Sequence, residues 1–133
     1  MTDDRGVGMV PTAAGFLVFI VFLLLAVQVL YGLYATSTVR GALNDAASRA
    51  ANGRATEAEL ARLADGAERS LGPMGDRTTI LLRVEDDDAD GVPDVVVGSA
   101  LADPPRFVPP GLSGVAGLDD IDVSVPVRIE RFR

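Results

Sequence analysis

The sequence predicts an α+β fold: a long apolar N-terminal helix that continues as an amphipathic helix, a second short helix, and then a small antiparallel β-sheet. Three observations carry this expectation. No residue between Arg5 and Arg40 is charged. Apolar residues then recur at steps of three and four as far as Ala50, the repeat of one helical face. After Gly75 the pattern changes to β-branched runs and period-two alternation, the signature of half-buried strands.

The first element runs from about Pro11 to Tyr34. Its core, Ala13 to Leu30, contains Gln28 as its one strongly polar side chain. A bilayer core needs about 20 such residues, so the length fits a membrane span. Tyr31 and Tyr34 close the run, where amphipathic rings favour the lipid–water boundary. A cleaved secretory signal would carry a basic leader and a shorter apolar stretch. Here the leader is Thr2-Asp3-Asp4-Arg5, and Ala35-Thr36-Ser37 offers only a weak cleavage site. The expected organisation is a short leader at 1–10, a transmembrane helix at 11–36 and an α+β domain at 37–133. Charge alone, through Arg40, Arg49 and Arg54, would favour a cytoplasmic C-terminal part by the positive-inside rule.

Beyond the apolar run, Val39, Leu43, Ala46, Ala47 and Ala50 share one helical face, and Asn52-Gly53 is a C-terminal stop signal. The alanine stripe admits two readings, close packing by a partner helix or an ordinary core face. A second helix is signalled by Thr56 and Glu59, spaced as a capping box, followed by Leu60, Leu63, Ala64, Ala67 and Leu71 on one face. Gly72-Pro73 ends it.

Strands are expected at Thr78–Val84 and Asp94–Val97. The last is the clearest: Ile121, Val123, Val125, Val127 and Ile129 alternate with Asp122, Ser124, Pro126, Arg128 and Glu130. Pro126 lacks a backbone donor and so implies an edge strand or a bulge. Between the last two strands, Pro104-Pro105-Arg106-Phe107-Val108-Pro109-Pro110 reads as a stiff extended connector.

The first two strands flank Asp86-Asp87-Asp88-Ala89-Asp90-Gly91-Val92-Pro93-Asp94. Carboxylates at the first, third, fifth and ninth positions (Asp86, Asp88, Asp90, Asp94), Gly91 at the sixth and the Val92 carbonyl at the seventh match the oxygen ligands of a calcium loop. Similar loops occur in extracellular repeats and adhesins. Position twelve, where a bidentate acid belongs, is Val97, which places the expected affinity in the weak range of roughly 10⁻⁴–10⁻³ M. The alternative is a solvated hairpin loop whose Asp and Gly serve only the turn.

Composition excludes several function classes. The chain has no Cys and no His, which removes disulfides, thiolate metal ligands and Ser-His or Cys-His catalytic pairs. The net charge of −7 argues against a nucleic-acid partner, because phosphate binding needs a basic patch. No nucleophile motif or Gly-rich phosphate loop is present; Gly6 and Gly8 precede the apolar run rather than following a strand. The expectation is a protein that is not an enzyme and has no small-molecule substrate.

Arg5-Gly6, the apolar helix, then Tyr31-Gly32-Leu33-Tyr34-Ala35-Thr36-Ser37-Thr38-Val39 leading into Asp45-Ala46-Ala47-Ser48-Arg49-Ala50-Ala51 together resemble TadE-like proteins. These are pilin-like components of tight-adherence (Tad) pilus assembly systems, and the versions of high-GC Gram-positive bacteria look most similar. Pro105 to Leu112, read with the final Arg128-Ile129-Glu130-Arg131, looks similar to the C-terminal parts of such proteins. The resemblance implies a pilin-like fold, a single-pass protein of the cell membrane with its C-terminal domain outside the cytoplasm, and pilus assembly proteins as partners, met through the Ala-rich helix. It also implies cleavage after a Gly, here Gly6, by a prepilin peptidase. Polymerising members carry Glu five residues beyond the cut; this chain has Pro11 there, or Ala13 counted from Gly8. That departure makes a permanently anchored accessory role as compatible with the resemblance as a polymerising one.

Overall fold

The computed structural model describes residues 9–53, 55–86, 94–107 and 120–129. Helix α1 is one uninterrupted α-helix, Met9–Gly53, of 45 residues. At 1.5 Å per residue it is about 67 Å long. Pro11 lies in its first turn, where no intrahelical donor is lost. Thr36 and Thr38 donate their hydroxyls to the carbonyls of Gly32 and Tyr34, at 2.8 and 2.9 Å, so the polar side chains that follow the apolar run are held against the helix itself.

Helix α2 spans Glu57–Ser70 and opens with the capping box expected from Thr56 and Glu59. The Glu59 carboxylate accepts the Thr56 backbone N–H at 2.7 Å and its hydroxyl at 2.9 Å. These two bonds hold the Glu59 carboxyl below its ordinary pKa, the backbone bond being the larger cause. Leu71 caps the helix end, and Gly72, with φ of 59°, turns the chain into a 3₁₀ turn, Gly72–Arg77.

Three antiparallel strands follow: β1, Thr78–Glu85; β2, Val95–Ala102; and β3, Ile121–Arg128. Their order is β1-β2-β3, so β3 is an edge strand, as Pro126 requires. Pro126 pairs with Val97 within a continuous register, and there is no bulge among the described residues. The β1 edge is partly covered from α2: the Glu68 carboxylate accepts the Ile80 backbone N–H at 2.7 Å. The second strand is longer than the Asp94–Val97 run expected from sequence, because Gly98, Ser99 and Ala100 are weak strand formers and only packing recruits them. Gly98 is placed by that packing. A Cβ there would lie 2.8 Å from the Leu43 side chain, so the missing side chain lets α1 close onto the sheet.

The core lies between one face of the sheet and the second half of α1 with α2. Val39, Leu43 and Ala46 pack with Ala64, Ala67, Leu71, Ile80, Ala100, Ala102 and Val123. Further along α1, Ala47, Ala50 and Ala51 pack with Leu60 and Val96. Of the two readings of the alanine stripe, the core face is the one the structure displays. Val39, Leu43 and Ala47 are each 0% exposed, so a partner helix has no access to the stripe. The chain's own sheet and α2 occupy this Ala-rich face.

The first half of α1 makes almost no such contacts. Phe16, Leu17, Phe22 and Leu30 are all more than 60% exposed, and the apolar surface surrounds the helix on every side. By length and composition this segment is able to cross a membrane.

Candidate functional site

The two clusters set the sheet's direction along α1. Ala102 and Ile121 pack near Val39 and Leu43, whereas Val96, Val127 and Ile129 pack near Ala47 to Ala51. The end of β1 and the start of β2 therefore lie at the end of the domain remote from the apolar helix. The chain leaving β2 lies at the near end.

Asp86 and Asp94, the described ends of the acidic loop, lie at the remote end. The loop's base is closed by backbone bonds: Asp94 N–H donates to the Glu85 carbonyl at 3.1 Å, and Ile129 N–H donates to the Asp94 carbonyl at 2.7 Å. Asp86 and Asp94, the first and ninth positions of the expected calcium loop, are thus held at the two ends of one hairpin connection, both half-buried. Asp88, Asp90 and Val92 lie outside the described residues, as does Gly6, the expected processing position. Among the described residues no three acidic side chains converge on one point.

A second arrangement, at the near end, has no counterpart in the sequence motifs. Gln28, the one polar residue of the apolar run, is 1% exposed. Its Nε2 donates to the Pro105 carbonyl at 3.3 Å, and its Oε1 accepts the Phe107 backbone N–H at 2.7 Å. One primary amide thus clamps both polar edges of a passing extended chain. The Phe107 ring meets Tyr31 edge-on, with centroids 5.7 Å apart and planes at 81°. Arg106 lies between Asp103 and Asp120 at 3.7 and 3.5 Å, half exposed, so these pairs contribute little to stability. The sequence signal was available: a lone amide in a charge-free apolar helix needs a partner, since leaving it unmet would cost about 1–3 kcal/mol. Its partners are nearly eighty residues away, beyond any local pattern.

A shallow groove of about 590 Å³ runs beside α1 and β3, lined by Leu33, Thr36, Ser37, Arg40, Gly41, Asn44 and Val125. It holds a single charged group, Arg40, and no nucleophile–base pair. Comparison with family models, with curated proteins and with solved structures found no match to this chain.

Proposed function

We propose that this chain is a single-pass, membrane-anchored, TadE-like structural protein with a pilin-like fold, acting in the assembly of a Tad or type IV-like pilus or a related envelope machine. The observation that carries the reading is the division of α1. One continuous helix presents an all-round apolar, exposed first half and a second half buried as the spine of a small antiparallel sheet domain. Such a rod couples a lipid-embedded segment rigidly to a folded head, which is what an assembly component needs to transmit position from the membrane to the surface. In this reading the head lies outside the cytoplasm. Partner proteins meet it on surfaces other than the alanine stripe, including the groove beside Arg40, Gly41 and Asn44. Pro11 stands where polymerising pilins place Glu, so the role favoured is that of an anchored accessory rather than a filament repeat.

The test is deletion of the gene in the native host, with surface pili counted by electron microscopy and the N-terminus of the mature protein read by mass spectrometry. Loss of pili supports the assembly role, and unchanged piliation contradicts it. A mature N-terminus at Val7 would place Gly6 at a processing site, whereas one at Met1 or Thr2 would identify a fixed anchor.

A second reading is a membrane-tethered, calcium-dependent binding or adhesion module. It is supported by the residue spacing of Asp86 to Asp94 and by the backbone closure that holds both ends of that loop together. Calcium there would neutralise clustered carboxylates and order the remote tip of the head. Millimolar calcium should then raise the melting midpoint of the full-length protein in detergent, and Asp88→Ala should abolish the rise. No shift with calcium would remove this reading and leave the first intact.

A further inference from the structure

From the Gln28 clamp we infer that the extended strap Asp103–Phe107 docks into the interfacial layer of the lipid bilayer, with the Phe107 ring as its lipid-facing anchor. The inference rests on the membrane-anchored reading of α1 and adds to it a second attachment point, about eighty residues further along the chain. Depth is set by the helix. From Val10 to Gln28 α1 rises by about 27 Å at 1.5 Å per residue, close to the ~30 Å of a hydrocarbon core. Gln28 and the strap bound to it therefore sit at the upper edge of that core, not above it. The exposed apolar surface also continues past this level, with Leu30 67%, Leu33 65% and Tyr34 63% exposed.

The strap's chemistry suits a region poor in water. Non-helical backbone is tolerated at membrane depth only where its polar groups are satisfied by protein. Pro104 and Pro105 have no N–H to satisfy, the Pro105 carbonyl accepts from Gln28, and the Phe107 N–H donates to it. Phe107 is nonetheless 47% exposed, its ring edge-on to Tyr31. The Tyr31–Phe107 pair, with Tyr34 about one turn further along α1, supplies the kind of aromatic side chains that favour the lipid–water boundary. Arg106 and its acidic neighbours Asp103 and Asp120 are half exposed or more, leaving the charged side of the strap toward the headgroups and water.

The chain contains no Trp, so single substitutions give clean fluorescence reporters. The full-length variants Phe107→Trp and Leu23→Trp are reconstituted in phosphatidylcholine bilayers whose acyl chains carry bromine either near the headgroup or near the chain end. Phe107→Trp should show blue-shifted emission quenched most by the shallow bromines, and Leu23→Trp emission quenched most by the deep ones. Adding Gln28→Leu should shift the Phe107→Trp emission to the red and relieve its quenching, leaving Leu23→Trp unchanged. Quenching of Leu23→Trp without quenching of Phe107→Trp would overturn the strap and leave the anchor standing. Quenching of neither would overturn both. Quenching at Phe107→Trp that persists with Gln28→Leu would show that the clamp is not what holds the strap at the bilayer.

Discussion

Phe16, Phe22 and Leu30, in the first half of α1, are 64, 68 and 67% exposed, whereas Val39, Leu43 and Ala47, in the second half, are each 0% exposed. Both stretches belong to the same unbroken helix and both are rich in apolar side chains. What separates them is interleaving. In the second half Arg40, Asn44, Asp45 and Arg49 hold one side in water, and an Asp45–Arg49 pair at 2.8 Å lies there. The opposite side is therefore left to a narrow apolar stripe that a sheet can cover. In the first half no polar face exists, so no single sheet or helix could cover it, and a surrounding apolar solvent can. Residue size differs too. Alanines in the second half let α2 and the sheet approach closely, while Phe and Leu in the first project outward.

This contrast can be broken from either side, and the largest effect belongs to the buried half. Leu43→Ala should destabilise the head by about 2–5 kcal/mol, the range for deleting a fully buried leucine. Chemical denaturation in detergent would measure it, and membrane partitioning should be unchanged. The mirror experiment is Leu23→Arg, where a charge at the centre of the apolar run should cost about 2.5–3.5 kcal/mol of membrane insertion. It should leave the melting of the head as it was. Should Leu43→Ala impair insertion, or Leu23→Arg melt the head, the two halves would not be separate functional units.

Gly98→Val sharpens the boundary between helix and sheet. Its added carbons must displace Leu43, and overpacking of this kind should cost about 1–3 kcal/mol, read as a lower denaturation midpoint. The smallest effect concerns the cap of α2. Bonds from Thr56 lower the Glu59 pKa, so the carboxylate form stabilises the folded head. That contribution is complete above the ordinary glutamate value and is lost as pH falls through the depressed one. Glu59→Gln should therefore flatten the acid side of the stability profile, lowering stability slightly at neutral pH and changing little once the pH lies below the depressed value.

Much of the architecture could be read from local pattern. The charge-free run, the three-four spacing from Val39 to Ala50, the Thr56–Glu59 pair and the alternation from Ile121 each report a nearest-neighbour preference that the fold keeps. Elements that depend on distant packing were less legible. Gly98 to Ala100 look like a loop until Leu43 is laid over them, and the alanine stripe has no owner until the sheet is folded against it. Gln28 was visible as an oddity, but its partners Pro105 and Phe107 are not predictable from spacing. At the acidic loop the residue types suggested an ion, and the described structure adds only the closure between Glu85 and Asp94.

Cysteine scanning along α1 would show whether it is one rod with a lipid-embedded half and a head-embedded half. The chain has no Cys, so each single substitution along α1 reports alone. Intact host cells would be treated with a membrane-impermeant thiol reagent. No labelling is expected at any position from Phe16 to Val27, on any side of the helix. Labelling should then become periodic, strong at Ser37, Arg40 and Asn44 and absent at Val39, Leu43 and Ala47. Labelling within Phe16 to Val27, or uniform labelling from Ser37 to Ala47, would contradict it.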